Sequence, residues 1–547
     1  MTDLAANQPP PLAGYDLYEA DPVLPAALRA FGAGWAEDRV RAIGRRAGTG
    51  EAIAWAEQAD ANPPVLRTHD RYGNRLDEVG FHPAWHALLG TAIGNGLHAW
   101  TWREPRQGSG VARAAGFFMW QQVEAGHGCP VSMTHAAVPA LRAEPGLAEA
   151  WVPLLTSLVY DPVLRPPQQK QGALCGMAMT ERQGGSDVRA ATTTATPLAA
   201  EGDYLLDGHK WFCSAPMSDA FMVLAQAPGG LTCFLLPRVL PDGARNGFHL
   251  VRLKDKLGNR ANASAEIELA RAWARRVGPE GRGVATIVEM VNHTRLDCAL
   301  GSAGNMRQAV AQASHHAAHR SAFGRRLADQ PLMANVLADL TVEAEAAAWL
   351  AMRVAAAFDR AEGEAVLRRL ITPVAKYWVC KRGPAVAAEA LECLGGNGYV
   401  EDSGMPRLYR EMPLNSIWEG AGNVNCLDVL RALGRQPETL AALQAEIALA
   451  DGADRHLDAF TRRLERELAD TDQLEAGARR LVERLALALA GSLLVRHGRP
   501  AVADAFCASR LGGDWGGAFG TLPAGVDFAA IVGPATPGVG PPADSCP

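Results

Sequence analysis

Two short stretches carry side chains that could do redox and proton-transfer chemistry. The first, LCGMAMTERQGGSD (residues 174–187), runs from apolar residues through Thr180 to two glycines and Ser186. The apolar half suits a buried strand and the glycines suit an open turn with outward N–H groups, which together form a lip for an electron-rich ligand. An ordinary surface turn is the alternative interpretation. The second, SIWEGAGN (416–423), contains Glu419, and a desolvated carboxylate can act as a base.

Zones of different periodicity must position these stretches. Apolar residues recur at helical intervals at both ends of the chain, whereas the middle has short strand-like runs such as YLLDGHKWFCSAP, AFMVLAQ, LTCFLLP and ASAEIELA. We therefore predict a multidomain α+β fold. The expected domains are an N-terminal helical domain (1–165), a central antiparallel β-barrel or sandwich (166–280), a C-terminal helical bundle (281–435), an extra helical domain (436–510) and a Gly/Pro-rich, partly disordered tail (511–547).

Composition narrows the class of protein. The 547 residues are 48% hydrophobic and 20% charged, which suffices for several cores. The ten cysteines form no CxxC pair and no His cluster accompanies them, so we expect reduced thiols, no metal site and a cytoplasmic location. The N-terminus, MTDLAANQPPP, does not resemble a signal peptide, and no apolar run is long enough for a bilayer. A net charge of −6 does not favour nucleic acid globally.

Six segments carry a resemblance to a known family: MAMTERQGGSD, GHKWFCSA, KLGNRANASAEIEL, RSAFGRRL, ECLGGNGYVED and YREMPLNSIWEGAGNVNCLDVLRAL. In order and separation they resemble the acyl-CoA dehydrogenase flavoproteins from about residue 60 to 435. The FHPAWH segment (81–86), the WEGxGN motif and the extra helical block are similar to a branch of this family that responds to DNA alkylation damage.

The resemblance implies FAD as cofactor and assigns residues to it. A protein that uses a flavin places hydrogen-bond donors at the edge where charge accumulates on reduction and near N5, where hydride arrives. By resemblance, Thr180 and the backbone of Met177 to Met179 lie along the isoalloxazine, Ser186 lies beyond them, and Ser214 directs its hydroxyl at N5. The motif around the predicted base adds Trp418, Gly420, Gly422 and Asn423 to the expected cofactor contacts.

The segment GHKWFCSA departs from the family pattern. Phe212 and Ser214 stand where the family has Trp and Thr, so the hydroxyl is retained and the aromatic cover changes in size. The neighbouring Trp211 is expected to compensate. Ordinary core packing of Trp211 and Phe212 is the alternative.

Glu419 occupies the position of the family's usual catalytic base. The family's alternative base lies on an earlier helix, where this chain has Thr294, so the resemblance points to Glu419 alone. An ion-paired structural role is the alternative interpretation, with Arg431 as the candidate partner; an adjacent arginine would lower the pKa of the glutamate and weaken it as a base.

Two further motifs imply assembly. In the family, the Arg and Phe of RSAFG, here Arg320 and Phe323, reach the FAD of a neighbouring subunit, and the GGxGY loop, here including Gly395 and Gly396, approaches it closely. An arginine fork suits a diphosphate. A solvated Arg320 and a plain helix cap at the glycines are the alternatives. The resemblance implies a homo-oligomer, with a tetramer as family precedent.

Two functions from different classes remain open. The first is a protein that protects DNA against alkylation, with weak or vestigial acyl-CoA dehydrogenase activity and double-stranded DNA binding; the second is a genuine dehydrogenase of short or branched acyl-CoA or another small hydrophobic substrate, oxidising a CH–CH bond. Residues 435–500 contain ten arginines, no lysine and eleven acidic residues, a balance that favours a salt-bridged face over DNA binding. The candidate DNA contacts are Arg455, Arg462, Arg463, Arg466, Arg479 and Arg480.

Overall fold

The computed structural model describes residues 7–359, 363–469 and 474–538. Its α-helices, in chain order, are α1 (Leu24–Ala30), α2 (Glu37–Ala47), α3 (Gly50–Ala61), α4 (Pro83–Gly94), α5 (Trp100–Arg103), α6 (Ser109–Val123), α7 (Gly128–Leu141), α8 (Pro145–Leu155), α9 (Gly283–His319), α10 (Pro331–Asp359), α11 (Ala365–Cys393), α12 (Met405–Glu411), α13 (Gly422–Arg435), α14 (Glu438–Ala448), α15 (Arg455–Ala469), α16 (Leu474–His497), α17 (Pro500–Phe506) and α18 (Phe528–Ala535).

The strands are β1 (Val65–His69), β2 (Arg75–Gly80), β3 (Cys175–Ala178), β4 (Thr194–Pro197), β5 (Asp203–Ser214), β6 (Ala220–Ala227), β7 (Gly230–Pro237), β8 (Phe248–Leu253), β9 (Ser264–Val277), β10 (Ser321–Ala322) and β11 (Arg325–Arg326). The predicted runs of short strands are confirmed as β5, β6, β7 and β9. The apolar run LCGMAM contains β3, which is buried on both faces.

The chain divides into two compact units. The sheet unit comprises residues 54–105 and 124–294, and the helical unit comprises 1–53, 106–123 and 295–547. These units group the five predicted segments differently, because part of the N-terminal segment belongs to the sheet unit and the extra block shares a unit with the bundle.

A seven-stranded sheet forms the core of the sheet unit. Strands β6, β4, β5, β9 and β7 pair in a closed ring, β3 extends along β6, and β8 pairs with β9. The predicted barrel is present, but the expectation that it is wholly antiparallel was wrong. Strand β6 runs parallel to β3 and β4, which is possible because a long connection carries the chain back between them.

Alternation along β6 separates two hydrophobic cores. Phe221, Val223 and Ala225 pack with the interior residues of the ring. Met222 and Leu224 face the other way, onto residues of β3, α7 and α8. Because successive side chains of a strand point to opposite faces, this one strand anchors the ring and the helices that cover it.

The N-terminal segment, predicted as mostly helical, also contains a hairpin. Strands β1 and β2 are antiparallel, and the side chain of Asp70 accepts hydrogen bonds from the backbone N–H groups of Tyr72 and Asn74 in the turn between them. Such an aspartate turn offers the backbone an alternative to helix.

Two long helices, α10 and α11, pack along each other in the helical unit, with α6, α16 and α18 against α10 and with α13, α14 and α16 against α11. Buried ion pairs attach the extra block. Glu446 of α14 accepts hydrogen bonds from Arg353 of α10 at 2.9 and 2.8 Å and from Arg496 of α16 at 2.8 Å.

The expectation of partial disorder in the Gly/Pro-rich tail does not hold for residues 511–538. Helix α18 buries Ile531 and Ala535, and Asp339 accepts hydrogen bonds from the indole of Trp515 and the backbone of Gly520. These contacts supply the core that composition alone did not reveal. Residues 539–547 lie outside the described part of the chain.

Nine cysteines fall in the described ranges, all as free thiols, and eight of them are buried; Cys129 is half-buried. Within the same ranges, no group of three or more His, Cys, Asp and Glu residues could hold a metal ion. No helix in this part of the chain combines the length and the apolarity needed to cross a membrane.

Candidate active site

The lip after β3 is held against β5. Met177 of β3 is 7% exposed, and the carbonyl oxygen of Thr180 accepts a hydrogen bond of 2.8 Å from the backbone N–H of Trp211. Beyond Thr180 the chain turns back on itself. The turn brings Gly185 so close to Thr180 that a Cβ atom at Gly185 would lie 2.4 Å from the Thr180 hydroxyl oxygen. Ser186 is exposed at the end of this turn. The backbone of Thr180 is thus held by β5, and the Thr180 side chain lies close to Gly185.

The buried carboxylate of Glu181 anchors the same turn through hydrogen bonds. Glu181 accepts hydrogen bonds from Lys210 at 2.7 Å, from the hydroxyl of Thr193 at 2.6 Å and from the backbone N–H of Thr192 at 2.7 Å. Burial alone would raise the pKa of Glu181, but these hydrogen bonds hold it well below its usual range. Since Glu181 follows Thr180 directly, these hydrogen bonds of Glu181 also restrict the position of Thr180.

The aromatic pair of β5 is not core packing. Phe212 is 50% exposed, and the ammonium nitrogen of Lys254 lies 3.4 Å from the centre of the Trp211 ring and 4.9 Å from that of Phe212. The hydroxyl of Ser214 is 3.2 Å from the hydroxyl of Ser264. The sheet unit therefore combines a half-exposed aromatic surface with hydroxyl groups, and Lys254 is a neighbour that sequence reasoning missed.

The helical unit holds the predicted base on a strained turn. Glu419 has φ +58° and Gly420 has φ +98°, and the turn leads directly into α13. Arg295 donates to the carbonyl oxygen of Glu419 at 3.1 Å, and Lys376 donates to that of Gly420 at 2.6 Å. The amide of Asn425 donates to the Gly420 carbonyl as well. Two buried cations therefore fix the backbone that carries the Glu419 carboxylate.

Arg431, the predicted partner of Glu419, has an exposed side chain on α13. The arginine that contacts the Glu419 backbone is Arg295, which also pairs with Asp428 at 2.7 Å. Arg369 donates to the same Asp428 at 2.7 Å. Sequence reasoning missed Arg295, Lys376 and Asn425.

The rest of the WEGAGN turn contacts its own unit. The indole of Trp418 donates to Asn415 at 2.9 Å, and Asn423 accepts from Arg479 at 2.8 Å. A side chain at Gly422 would meet Lys381 at 3.1 Å. Arg479, a predicted DNA contact, is thereby engaged with a predicted cofactor contact.

The remaining cofactor candidates of the helical unit lie on exposed turns. Phe323, at the tip of the β10–β11 hairpin, is 97% exposed, and Tyr399, which ends the GGNGY turn after Gly395 and Gly396, is 82% exposed. Arg320 donates to the carbonyl oxygen of Asn7 at 2.8 Å. Full exposure of Phe323 leaves its ring available to another molecule.

Comparison with known proteins decides the family. The AidB N-terminal domain model matches residues 7–162, the acyl-CoA dehydrogenase middle domain matches 176–272 and the acyl-CoA dehydrogenase C-terminal domain matches 281–434. The putative acyl-CoA dehydrogenase AidB of Escherichia coli is 47% identical over 511 residues, which cover 93% of this chain and 94% of that protein. The chain belongs to the acyl-CoA dehydrogenase family. Its N-terminal domain is of the AidB type.

Solved acyl-CoA dehydrogenase family structures agree with the fold. ACDH-11 of Caenorhabditis elegans, solved in complex with C11-CoA, superposes with a TM-score of 0.85 and 28% identity, covering 93% of this chain and 94% of that one. An acyl-CoA dehydrogenase from Bacillus anthracis, complexed with FAD, has a TM-score of 0.63 at 20% identity over 79% of this chain and 81% of that one. The predicted fold class is confirmed. The prediction of FAD as cofactor is also confirmed by the family assignment and by the FAD complex of a family member.

The residues present fit a flavin. The sheet unit offers the hydroxyls of Thr180 and Ser214 and the half-exposed ring of Phe212, groups of the kinds that suit the polar edge and the flat apolar face of an isoalloxazine. The predicted contacts are divided between the two units, with Met177 to Ser214 in the sheet unit and Arg320 to Asn423 in the helical unit.

Proposed function

We propose that this chain is an FAD-dependent dehydrogenase that removes hydrogen from a small acyl thioester, with Glu419 as the base. The observation that carries the proposal is the Glu419 turn, whose unfavourable backbone is held by Arg295, Lys376 and Asn425. A conformation of this kind persists only where its surroundings impose it, and it is concentrated at functional sites. Oxidation between the alpha and beta carbons of a thioester needs such a fixed carboxylate.

The side chains divide the work by type. Bound FAD would accept the hydride from the beta carbon. Glu419 accepts the alpha proton, which becomes acidic when the thioester carbonyl is polarised. Ser214 and Thr180 provide hydrogen-bond donors for the cofactor, and Phe212 covers an aromatic face. A positioned base of this kind contributes roughly 10²- to 10⁴-fold to rate.

We also propose that the chain forms a homo-oligomer, with a tetramer as the expected size. The support is Phe323, a large apolar side chain that is 97% exposed on a short hairpin next to Arg320. An exposed aromatic beside a guanidinium suits the adenine and diphosphate of a cofactor held by a neighbouring subunit.

Double-stranded DNA binding and protection against alkylation form a second candidate function. The observation in its favour is that Arg455, Arg462, Arg463 and Arg466 of α15 are all exposed. Other arginines of the block are engaged: Arg479 with Asn423, and Arg484 with Glu467. The DNA proposal therefore rests on α15 and on Arg480, which is exposed on α16.

The test of the dehydrogenase is anaerobic mixing of the purified protein with short and branched acyl-CoAs while the flavin absorbance is followed, after the pigment released by heat has been identified. We expect FAD, and bleaching with at least one acyl-CoA. Glu419→Gln should reduce the bleaching rate by at least about 100-fold with an unchanged FAD spectrum.

Glu438→Gln is the matched control, because Glu438 is exposed at the start of α14 and should bleach at the parent rate. A Glu419→Gln variant that bleached at the parent rate would exclude Glu419 as the base. A parent protein that no acyl-CoA bleached would exclude the dehydrogenase.

A further inference from the structure

A cavity of about 580 Å³ lies within the sheet unit. Its wall includes Phe81, Trp85 and His86 of the FHPAWH segment, a motif that the flavin chemistry does not use. Met177, Thr180, Trp211 and Ser214 are not among the lining residues. The volume falls within the range of small-molecule sites, roughly 300–1,000 Å³.

The apolar part of the wall is rigid and aromatic. The rings of Phe81 and Trp85 stack with their centres 5.0 Å apart and 13° between their planes. Trp85 and Leu89 are 3% and 2% exposed, so each is locked in the core while it borders the cavity. Leu174 and Met217 complete this surface. Such a wall favours an apolar or aromatic guest.

The charged groups at the cavity are already neutralised in pairs. Arg245 contacts Glu78 at 2.6 Å, Arg165 contacts Asp161 at 2.6 Å, and Lys170, which does not line the cavity, contacts Asp219 at 3.0 Å. The Asp219 carboxylate also accepts a hydrogen bond of 2.8 Å from the backbone N–H of Leu174. A charged guest would therefore lose hydration without gaining a free partner of opposite sign.

The neutral polar groups of the wall are His86, Tyr160 and Ser218, and they differ in whether they already make a hydrogen bond. His86 is 2.7 Å from the hydroxyl of Tyr160, and burial lowers the pKa of His86, so this pair is uncharged at neutral pH. Ser218 also lines the cavity; it is 1% exposed, and its hydroxyl has no hydrogen-bond partner among the residues that the structure describes. A buried hydroxyl without a partner is unfavourable, and a guest with one polar group can supply the missing hydrogen bond.

We propose that this cavity is a second binding site, separate from the flavin site, for an uncharged and largely apolar molecule that carries a single hydroxyl or carbonyl group. The apolar body lies against Phe81, Trp85 and Leu89, and the polar group bonds to Ser218. This site does not depend on the dehydrogenase proposal, because it uses neither Glu419 nor any predicted flavin contact.

The experiment uses the intact flavoprotein with benzyl alcohol as probe, and toluene, benzoate and benzylamine as comparisons, followed by ligand-observed NMR titration. We expect benzyl alcohol and toluene to bind, and benzoate and benzylamine to bind at least about 10-fold more weakly, since each would bury an unpaired charge. Ser218→Ala should weaken benzyl alcohol about 5- to 10-fold, as one hydrogen bond predicts, and leave toluene unchanged.

Leu89→Trp and, independently, Met217→Phe should fill the cavity and reduce the binding of both neutral probes. Ser302→Ala is the matched control, because Ser302 is a buried serine of the helical unit, and it should bind benzyl alcohol as the parent does. Absence of binding by both neutral probes would overturn the proposal. So would equal binding of benzyl alcohol by the parent and Ser218→Ala, or its stoichiometric displacement by an acyl-CoA, which would make the cavity part of the substrate site.

Discussion

Glu419 combines a chemical requirement with a conformational cost. A non-glycine residue in the left-handed region is disfavoured by roughly 1–2 kcal/mol, and here φ is +58°. The carbonyl groups of Glu419 and Gly420 are each bound by a buried cationic side chain, Arg295 and Lys376. Charge-assisted hydrogen bonds of this kind are about twice as strong as neutral ones, which is enough to hold the turn.

Lys376→Met should therefore slow substrate-dependent bleaching of the flavin by at least about 10-fold while the protein keeps its FAD. The reason is positional: without the 2.6 Å bond to Gly420, the turn relaxes and the carboxylate leaves its place, and small misplacements are costly in catalysis. Stopped-flow bleaching with the best acyl-CoA measures it. Arg435→Met, which removes an exposed cation at the far end of α13, is the control. Equal rates for Lys376→Met and the parent would refute this role.

At the residue scale, the sequence can indicate a candidate site where the motif is local. Glu419 could be proposed because its neighbours Trp418, Gly420 and Gly422 are adjacent in the chain. Arg295 and Lys376 could not, because they reach this turn across 124 and 44 residues. An isolated Arg or Lys on a helix carries no sequence signal that says which backbone carbonyl it will meet.

At the scale of elements, Glu446 joins three helices. Burial would raise its pKa, but the hydrogen bonds and charges of Arg353 and Arg496 lower the pKa of Glu446 to about 2. A carboxyl group whose pKa is depressed by folding stabilises the native state above its unfolded pKa of about 4.5 and loses that contribution as pH falls toward 2. Helices α10, α14 and α16 are thus held by a bond that acid removes.

Glu446→Gln should lower the free energy of unfolding at pH 7 by up to about 3 kcal/mol. The difference between variant and parent should shrink as pH falls from about 4.5 toward 2, because both side chains are then uncharged. Denaturant unfolding at pH 7, 5 and 3 measures this. Glu438→Gln, at the exposed start of the same helix, should follow the parent at each pH. A difference as large at pH 3 as at pH 7 would point to lost packing instead.

Elements with strong periodicity were predictable, and those fixed by distant contacts were not. Strand β6 alternates between two cores, so its sequence is continuously apolar and marks a strand. The hairpin β1–β2 is short and only partly buried, and so has no continuous apolar run. Helix α18 contains a Pro and a Gly, which disfavour a helix. Its helical structure depends on packing against α10, and composition does not reveal that contact.

At the scale of the whole molecule, the distribution of charge bears on whether the protein can bind DNA. The chain has a net charge of −6, so DNA binding needs a local cationic surface. Arg479 and Arg480 are exposed on α16, and the other four exposed candidates lie on α15. If that helix binds duplex DNA, repetition of the patch in an oligomer would raise the effective concentration without new contacts.

Replacing Arg462, Arg463 and Arg466 together by Ala should weaken DNA binding and reduce the slope of log K against log salt by up to about three units, one for each lost phosphate contact. Flavin content and acyl-CoA bleaching should not change. A salt titration of duplex binding measures it, with Arg29, Arg45 and Arg71, which are exposed elsewhere, replaced together as the control. Equal slopes in both triple variants would remove α15 from the site, and no parent binding at low salt would remove the DNA function.

The buried free thiols have a consequence for how the two units can be studied. Burial raises the pKa of Cys233 to about 12 and that of Cys426 to about 11, so neither thiol reacts with an alkylating reagent until its surroundings open. Cys175, Cys213 and Cys233 belong to the sheet unit, and Cys298, Cys380, Cys393, Cys426 and Cys507 to the helical unit. Timed iodoacetamide labelling, read peptide by peptide in a mass spectrometer, should therefore report opening free energies for each unit separately. Identical labelling rates in every buried peptide would mean that the molecule opens only as a whole.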